Sequence, residues 1–490
     1  MRHSQGKWRH GTGGLWQEPA RHQLKPVTAF LNILCVAADM AATRGVCGER
    51  GGGHRMSRPS RARLAVAAGL TAMALAAAGC SSAPHHTSSP VAGAPGVLSG
   101  SITIGSYQPL TGAAAPGASE IAPASAAYFA YVNAHGGIYH RKIIYKYLND
   151  QGRPALAPSI VHQLVQQDNV LAIFNAAGTA PHLTVTPFLN AARVPDVFGV
   201  SGCPCFDAPP TAPETFGWQL DYVREGKILG AYLAQHFKNE RIGLTYSSGE
   251  AGLDGVRGLR YELTSRQLTT TQPATPAASQ AAALKASGAQ VVVAFSGPAA
   301  TAALLTAMTR LNYHPRLVAA NEGADPATLT ALLAKTTGAT PAGPASALTQ
   351  GIITDGWLPP ADSASSSWIT LFRTIHHRYI PKLPFDTNVI DGMAAAYTFT
   401  EAMLRAGPNP SRQDLVNAIT AGLPQGPAVA PLGYSPTSHA GVTGAYIGVT
   451  RGTTITPLTG VVTTDDTPTG PVTPYPGSQP PAPASGIPPH

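Results

Sequence analysis

Small and hydroxyl-bearing residues recur where predicted strands end and helices begin. Three such segments are Pro109-Leu-Thr-Gly112, Asn175-Ala-Ala-Gly-Thr179 and Val200-Ser-Gly202. Glycine lets a backbone approach a ligand closely, a threonine hydroxyl can donate to a carboxylate, and a helix N-terminus presents free N–H groups. Each segment alone also suits an ordinary tight turn. Three in one half of the chain indicate a binding site for a small polar ligand.

Catalytic motifs are incomplete in this sequence. Gly199-Val-Ser-Gly202 stops short of a nucleophile elbow, because Cys203 stands where the motif has its final glycine. Neither a glycine-rich phosphate-binding fingerprint nor a His-Glu-x-x-His zinc motif occurs. An extracellular hydrolase that uses Ser201 or Cys203 is kept as an alternative, although the sequence pairs neither residue with a positioned base. We therefore assign no catalytic residue.

The candidate metal ligands are also poorly spaced. Cys203-Pro-Cys205 has one intervening residue where redox and zinc turns have two, so it fits a local disulfide, a pair of thiols or a packing feature. His85-His86 and His376-His377 are expected to be solvated. We expect neither a metal nor a cofactor.

Short apolar runs alternate with helical patterns through the body of the chain. This rhythm favours parallel sheets covered on both faces, and its length favours two doubly wound α/β lobes. A closed eight-stranded barrel is the alternative that periodicity leaves open. The predicted strands are 101–107, 142–148, 170–174, 196–199, 242–246, 291–295 and 317–320, and the predicted helices are 120–133, 155–167, 182–192, 253–266 and 299–311.

The charge is unevenly distributed. The net charge of +8 suggests a nucleic-acid or membrane-surface binder, but 11 of the 33 basic and 3 of the 25 acidic side chains lie in residues 1–79. The remaining 411 residues carry 22 of each sign. A neutral body lacks the electrostatic footprint that a phosphate backbone requires, so we expect no nucleic-acid partner.

The leader resembles a bacterial lipoprotein signal. Basic residues from Met56 to Arg63 precede sixteen uncharged residues, 64–79, and small residues lead to Cys80. We expect a signal peptide over 56–79 and lipidation of Cys80. An ordinary secretory cleavage site and an uncleaved anchor are the alternatives. Residues 1–55 are interpreted as an over-extended start.

Two segments of low complexity flank the body. Residues 80–100 are rich in Ser, Pro, Gly and Ala, which is typical of a tether. Residues 461–490 contain nine prolines, and we predict a disordered tail there.

The order of several segments between residues 101 and 456 resembles the type I periplasmic binding proteins, in particular the branched-chain amino acid-binding family of ABC importers. The most specific segments are Asn133-Ala-His-Gly-Gly137-Ile and Asp150-Gln-Gly152, and Asp391-Gly-Met-Ala-Ala-Ala-Tyr397 follows downstream. The resemblance implies two Rossmann-like α/β lobes joined by a three-crossing hinge that closes on a ligand. Lobe 1 would comprise 101–220 and 358–430, and lobe 2 would comprise 221–357 and 431–460.

The resemblance also implies a ligand site. In the family, a hydroxyl residue after the third strand and backbone groups of the following junction hold the ligand's carboxylate and ammonium. Those positions fall here on Thr179, next to Gly178, and on Val200 and Gly202, with Ser201 between them.

Further implied positions surround these. The first loop, with Thr111 and Gly112, would close over the ligand side chain. The second-lobe positions are Ala251, Gly297, Asn321 and Glu322. Family aromatics are absent at Ala251 and Gly297, so leucine-like specificity is not expected. The acid that binds the ammonium falls on Asn321 or Glu322.

These inferences predict an exported, lipid-anchored, monomeric solute receptor at the outer face of the cytoplasmic membrane. It would bind a small amino-acid-like or amide ligand and deliver it to ABC permease subunits. A sensing receptor of the same fold for amides, urea or aromatic acids is the alternative. The expected class is a binding protein and not an enzyme.

Overall fold

The computed structural model describes residues 94–263, 268–271, 273, 275–337 and 343–489. The predicted start, signal peptide, Cys80 and most of the tether lie outside the described residues.

The first lobe is built on a five-stranded parallel sheet with the order β2-β1-β3-β4-β5. Its strands are β1 (Ser101–Gln108), β2 (Lys142–Asn149), β3 (Ile173–Phe174), β4 (Asp196–Gly199) and β5 (Thr215–Gly217), and its helices are α1 (Ile121–Ala134), α2 (Ala157–His162), which continues as a π-helix over Gln163–Gln167, and α3 (Thr179–Ala192).

The second lobe is built on a larger sheet, with parallel strands from β6 to β10 and antiparallel strands beyond them. Its order is β14-β13-β11-β10-β9-β8-β6-β7, and β12 pairs with β11. The strands are β6 (Ile242–Tyr246), β7 (Leu268–Thr270), β8 (Val291–Phe295), β9 (Arg316–Ala319), β10 (Ile353–Gly356), β11 (Gly444–Arg451), β12 (Thr454–Pro457), β13 (Val462–Thr463) and β14 (Thr473–Pro474), and the helices are α4 (Tyr222–His236), α5 (Glu250–Glu262), α6 (Ala277–Ala286), α7 (Pro298–Arg310), α8 (Pro326–Thr337) and α9 (Pro344–Leu348).

Three further helices return the chain to the first lobe, where α11 packs along α1. They are α10 (Ser367–Tyr379), α11 (Thr387–Ala406) and α12 (Arg412–Thr420). The chain therefore passes between the lobes after β5, after β10 and before β11. Two separate open sheets confirm the doubly wound prediction and exclude the closed barrel.

Helix α3 begins three residues earlier than its apolar pattern predicts. Gly178 precedes it with φ of +96°, a conformation that side chains with a Cβ rarely adopt. Pro181 stands at the third helical position, where its missing N–H costs no helical hydrogen bond. The glycine turn thus places Thr179 at the first position of the helix.

The prediction of a disordered C-terminal tail is wrong. Residues 461–489 run along the body, and the buried lysine Lys227 donates to the carbonyl oxygens of Asp465, Thr467 and Gly470 at 2.7–2.8 Å. Proline removes backbone donors but leaves carbonyl acceptors, so a proline-rich chain can still be fixed by donors from the body. The spacing of apolar residues along the chain does not predict a segment that is held by hydrogen bonds to its backbone carbonyl groups.

The last residues of the predicted tether are also ordered. Val97 is buried, and the Thr103 N–H donates to the Gly96 carbonyl at 2.8 Å. Gly96 has φ of +77°, and a Cβ there would lie 2.3 Å from the backbone nitrogen of Leu171. A glycine is therefore needed where this segment crosses the sheet.

Candidate functional site

A cavity of about 510 Å³ lies between the two lobes at the carboxyl ends of their parallel strands. This is where open α/β sheets bind ligands, and the volume lies in the range of small-molecule sites. The loop after β1, the start of α3 and the start of α11 supply one wall, and the starts of α5 and α7 and the segment after β9 supply the other. The lining residues are Pro109, Ala113, Ala114, Pro116, Ala118, Ile121, Gly152, Ala177, Gly178, Thr179, Pro181, Val200, Gln219, Tyr222, Ala251, Gly297, Pro298, Ala299, Ala300, Asn321, Glu322, Asp325, Trp357, Thr387, Asn388 and Asp391.

Seven of the eleven residues expected at a ligand site line this cavity. They are Gly178, Thr179, Val200, Ala251, Gly297, Asn321 and Glu322. Ser201 and Gly202 lie just behind the wall. Gly202 contacts Tyr222, whose N–H donates to the Gly202 carbonyl at 2.7 Å.

Thr111 and Gly112 do not line the cavity. The Thr111 hydroxyl accepts from the Asn149 amide at 2.8 Å, so this part of the loop is tied to the end of β2. The next residues of the same loop, Ala113, Ala114 and Pro116, form the wall instead. The predicted loop therefore reaches the cavity, but through these residues and not through Thr111 and Gly112.

Three hydroxyl groups converge at the start of α3. Thr179 Oγ1 lies 2.7 Å from Ser201 Oγ, and both side chains are largely buried. Burial raises the pKa of the Tyr222 phenol, and hydrogen bonds with Thr179 and Ser201 oppose that rise. The cluster can donate and accept hydrogen bonds without carrying a charge.

The backbone of Val200 is less available than expected. Its N–H donates to the Ala176 carbonyl at 2.8 Å, and its carbonyl accepts from Gly178 at 3.0 Å. These bonds extend the pairing of β3 with β4, so Val200 contributes no free N–H to a ligand. The N–H groups of Thr179 and Ala180 are available, since the first N–H groups of a helix have no partner within it.

Glu322 faces the cavity from the second lobe. Its side chain has accessible surface towards the cavity, and burial of the carboxyl between the lobes raises its pKa. A Cβ built on Gly297 would lie 3.2 Å from Glu322 Oε1, which places the carboxylate beside the start of α7. The helix dipole there favours the ionised form. Of the two predicted acid positions, Glu322 offers the free carboxylate.

Asn321 is instead held in place by the protein. Its backbone N–H donates to Glu225 Oε1 at 2.7 Å, and its side-chain amide donates to the Asp355 carbonyl at 2.6 Å. Burial and the nearby charge of Asp355 raise the pKa of Glu225, and burial raises the pKa of Asp355 to about 6. Asn321 therefore positions the neighbouring Glu322 and keeps its side-chain oxygen and one amide N–H for a ligand.

Asp391 brings a carboxyl to the cavity from α11. It accepts from the Trp218 indole at 2.8 Å, and burial raises its pKa to about 6 despite that hydrogen bond. Trp218 lies at the first chain crossing between the lobes, directly after β5. The carboxyl is thus fixed by the hinge.

A third cavity carboxyl, Asp325, meets two others across the gap between the lobes. Asp325 directly precedes α8 and accepts from the Thr328 N–H at 2.7 Å. Burial and the charges of Asp325 and Glu120 raise the pKa of Asp386, which precedes α11, to about 9. Burial likewise raises the pKa of Asp325 and of Glu120. Bringing these three carboxyls together favours bound protons or a neighbouring positive charge.

The cavity wall carries three carboxyl side chains, Glu322, Asp325 and Asp391, and no Lys, Arg or His among the described residues. No cluster of His, Cys, Asp or Glu suitable for a metal ion occurs in the described part of the chain. Within the same residues, no helix is both long and apolar enough to cross a membrane.

The proposed nucleophiles of the hydrolase alternative lack activation. Cys203 and Cys205 form a disulfide, which resolves the three alternatives for this pair and leaves no thiolate. The nearby His182 ring has Nδ1 2.8 Å from the Gly178 carbonyl and Nε2 3.5 Å from Asp196. Both ring nitrogens thus face protein groups other than Ser201.

Sequence reasoning missed Tyr222, Trp357, Asp325 and Asp391 as cavity residues. Tyr222 begins α4 directly after the N-cap Asp221, which accepts from the N–H groups of Val223 and Arg224 at 3.0 Å. This capping pattern was a usable signal for the first crossing. Ala251 and Gly297 line the cavity without an aromatic ring, and Tyr222 and Trp357 supply aromatic surface from the hinge instead.

Residues 101–454 match the model of a protein family described as periplasmic binding protein. No curated protein matches the chain.

Solved structures of the same fold cover most of the chain. A fatty acid ABC transporter substrate-binding protein from Thermomonospora curvata has a TM-score of 0.63 at 20% identity, with 74% of this chain and 93% of that chain covered. A branched-chain amino acid ABC transporter protein from Thermus thermophilus with bound valine has a TM-score of 0.63 at 19% identity, with 75% of this chain and 98% of that chain covered. A solute-binding protein of an ABC transporter from Rhodopseudomonas palustris BisB5, in complex with 3,4-dihydroxy benzoic acid, has a TM-score of 0.60 at 15% identity, with 74% of this chain and 97% of that chain covered.

Proposed function

The chain belongs to the periplasmic binding protein family, and on that premise we propose that it is the solute-binding lipoprotein of an ABC importer, with an amine-bearing ligand held between its lobes. The family works outside the cytoplasm as the binding component of transport. The observation that carries the proposal is a cavity at the strand ends of both lobes with carboxyl groups from each.

The charge of the cavity wall supports an amine. Glu322 and Asp325 stand on one wall and Asp391 on the other, and the described lining residues include no basic side chain. A buried ammonium requires a carboxylate partner, and a ligand carboxylate here would meet only hydroxyl groups and helix N–H groups. The ligand's acidic or carbonyl end would lie at Thr179, and its cationic end at Glu322.

The size of the cavity supports a ligand larger than leucine. Small apolar residues, including Ala113, Ala114, Ala251 and Ala299, leave about 510 Å³ between the lobes. Tyr222 and Trp357 supply aromatic surface at the hinge side. We expect an amino-acid-like ligand with an amine and an apolar body, and we do not expect leucine to bind most tightly.

Anchoring and delivery complete the proposal. Lipidation of Cys80, at the end of the apolar segment 64–79, would hold the body at the outer face of the cytoplasmic membrane next to the permease. Intact mass of the membrane fraction tests this. A product cleaved elsewhere with an unmodified Cys80 would contradict it.

A thermal-shift screen of the purified chain, followed by calorimetric titration, tests the binding function. The panel contains basic amino acids and diamines, neutral amino acids, amides and urea, and aromatic or fatty acids. A bound ligand raises the melting temperature by mass action. Selective binding of amine-bearing compounds supports the proposal, whereas preference for acids without an amine contradicts the charge argument. Binding of amides, urea or aromatic acids by a chain encoded beside a kinase gene would favour the sensing alternative.

A further inference from the structure

The ordered C-terminal segment crosses from one lobe to the other. It leaves the second lobe at β13, which pairs with β11, and β14 then pairs with β13. Residues 475–489 continue on the first lobe, and residues 461–489 lie outside the family-matched range 101–454. The segment therefore lies beyond the family-matched part of the chain.

Its anchor on the second lobe is ionic and buried. Lys227 of α4 is fully buried, and its ammonium lies 3.2 Å from Asp465 Oδ1 in addition to its three carbonyl acceptors. Arg224, one turn earlier, donates to the Thr464 carbonyl at 3.0 Å. Two basic side chains of one helix thus hold residues 464–470.

Its anchor on the first lobe is a row of aromatic donors. Trp368 of α10 donates its indole N–H to the Pro480 carbonyl at 2.7 Å. From α1, Tyr128 donates to the Gly486 carbonyl and Tyr131 to the Ser485 carbonyl, both at 2.8 Å. Aromatic rings that donate to the carbonyls of a proline-rich chain are the common device of polyproline recognition, which exploits a ligand with little conformational entropy to lose.

The fit is specific at one glycine. Gly486 has φ of +68°, and a Cβ there would lie 2.5 Å from Leu371 Cδ1 and 3.0 Å from the Tyr131 hydroxyl. Ile487 and Ala482 pack against the core of the body. The segment is thus seated on this face by shape as well as by hydrogen bonds.

We propose that the aromatic face of α1 and α10, defined by Tyr128, Tyr131 and Trp368, is a binding site for a proline-rich segment, and that its occupation by the chain's own residues 475–489 makes a fourth connection between the lobes and restrains their hinge. The other three connections are the chain crossings themselves. Because both ends of the segment are fixed on different lobes, opening the cavity must stretch the segment or release it from the aromatic face.

Cleavage after folding tests the binding site. A protease site inserted between Gly477 and Ser478 of the full chain allows the segment to be cut in the folded protein, and a synthetic peptide of residues 478–489 then competes for the face. We expect the cut fragment to co-elute with the body and to exchange with the peptide. Loss of the fragment on cleavage, with no rebinding of excess peptide, would overturn the proposal.

Matched variants make the test specific. Trp368→Phe and Tyr131→Phe each remove one hydrogen-bond donor and keep a ring, so each should weaken the peptide about three- to tenfold. Tyr313→Phe removes a comparable hydroxyl–carbonyl bond of 2.7 Å in the second lobe and should leave peptide affinity unchanged. A peptide with Gly486→Ala should bind at least about tenfold more weakly. If all three protein variants bound the peptide as tightly as the wild-type face does, and the Gly486→Ala peptide bound equally well, the proposed binding site would be wrong.

The hinge restraint needs its own readout. Leu183 on α3 and Leu253 on α5 are exposed on opposite lobes, so spin labels at Leu183→Cys and Leu253→Cys report the distance between the lobes. Cys35, Cys47 and Cys80 are replaced by Ser in this chain. The distance distribution should broaden when the cut fragment is washed away and narrow again when the peptide is added. An unchanged distribution with the face empty would refute the restraint.

Discussion

Thr179 Oγ1 and Ser201 Oγ lie 2.7 Å apart, and this contact joins the start of α3 to the end of β4 at the cavity wall. Either hydroxyl can be the donor, so the pair can turn a donor or an acceptor towards a ligand. The Ser201 hydroxyl also accepts from the Cys203 N–H at 3.3 Å, which ties the pair to the disulfide turn.

Thr179→Val should weaken ligand binding about ten- to a hundredfold. The variant keeps the shape of the side chain and removes its hydroxyl, and a hydrogen bond to a charged group contributes about 1.5–3 kcal/mol. Calorimetric titration with the best ligand from the screen measures the effect. Thr186→Val is the control, since the Thr186 hydroxyl donates only to the His182 carbonyl within α3. If both variants bound the ligand with equal affinity, Thr179 would not contribute a hydrogen bond to the ligand.

Glu322→Gln should weaken an amine-bearing ligand by a similar factor while a neutral amide analogue of that ligand loses little. The reason is that the substitution removes the charge that pairs with the ammonium and keeps the hydrogen-bonding shape. Glu250→Gln is the control, since Glu250 begins α5 but does not line the cavity. If Glu322→Gln weakened the binding of the amine and of its amide analogue equally, the proposed charge pairing at Glu322 would be wrong.

Asp386→Asn should make the unfolding free energy less dependent on pH. The pKa of Asp386 is raised to about 9 in the folded chain, so the folded protein keeps a proton that the unfolded chain loses near its ordinary pKa. Its contribution to stability is therefore present at low pH and is lost as the pH rises towards 9, by at most about 1.4 kcal/mol per pH unit.

Urea unfolding at pH 5, 7 and 8.5 measures that slope. Asparagine caps a helix as well as aspartate, so the bond from the Val389 N–H to residue 386 is retained and the variant should be the more stable chain at pH 8.5. Asp362→Asn, at an exposed carboxylate, is the control. A wild-type slope in the Asp386 variant would show that this carboxyl holds no extra proton.

Gly226→Ala should destabilise the second lobe by about 1–3 kcal/mol, because α4 and α5 touch at this residue. A Cβ there would lie 2.2 Å from the Gly255 carbonyl oxygen, which only a shift of one helix could relieve. The shift would also move Tyr222 relative to Ala251. Thermal unfolding measures the stability. Gly249→Ala is the control, since nothing lies within 4 Å of its Cβ and its φ is −83°.

The pattern of residues along the chain predicts the architecture of the body. Largely apolar runs predict the strands Ile242–Tyr246 and Val291–Phe295 to the residue, because a strand covered on both faces buries nearly all its side chains. The glycine and hydroxyl residues at strand ends located the cavity, because those ends lie at one edge of a parallel sheet. The composition of the leader likewise determined the expectation of export.

Long-range packing sets which groups face the cavity and which are already hydrogen-bonded within the protein. The sequence predicts that backbone groups of Val200 bind the ligand, but its N–H donates to the Ala176 carbonyl of the neighbouring chain segment. Tyr222 and Trp357 reach the cavity only because the chain crosses between the lobes beside them. The tail is ordered because Lys227 and Trp368, more than a hundred residues away in sequence, supply donors to its carbonyls. Such contacts depend on long-range packing, which local periodicity and composition do not encode.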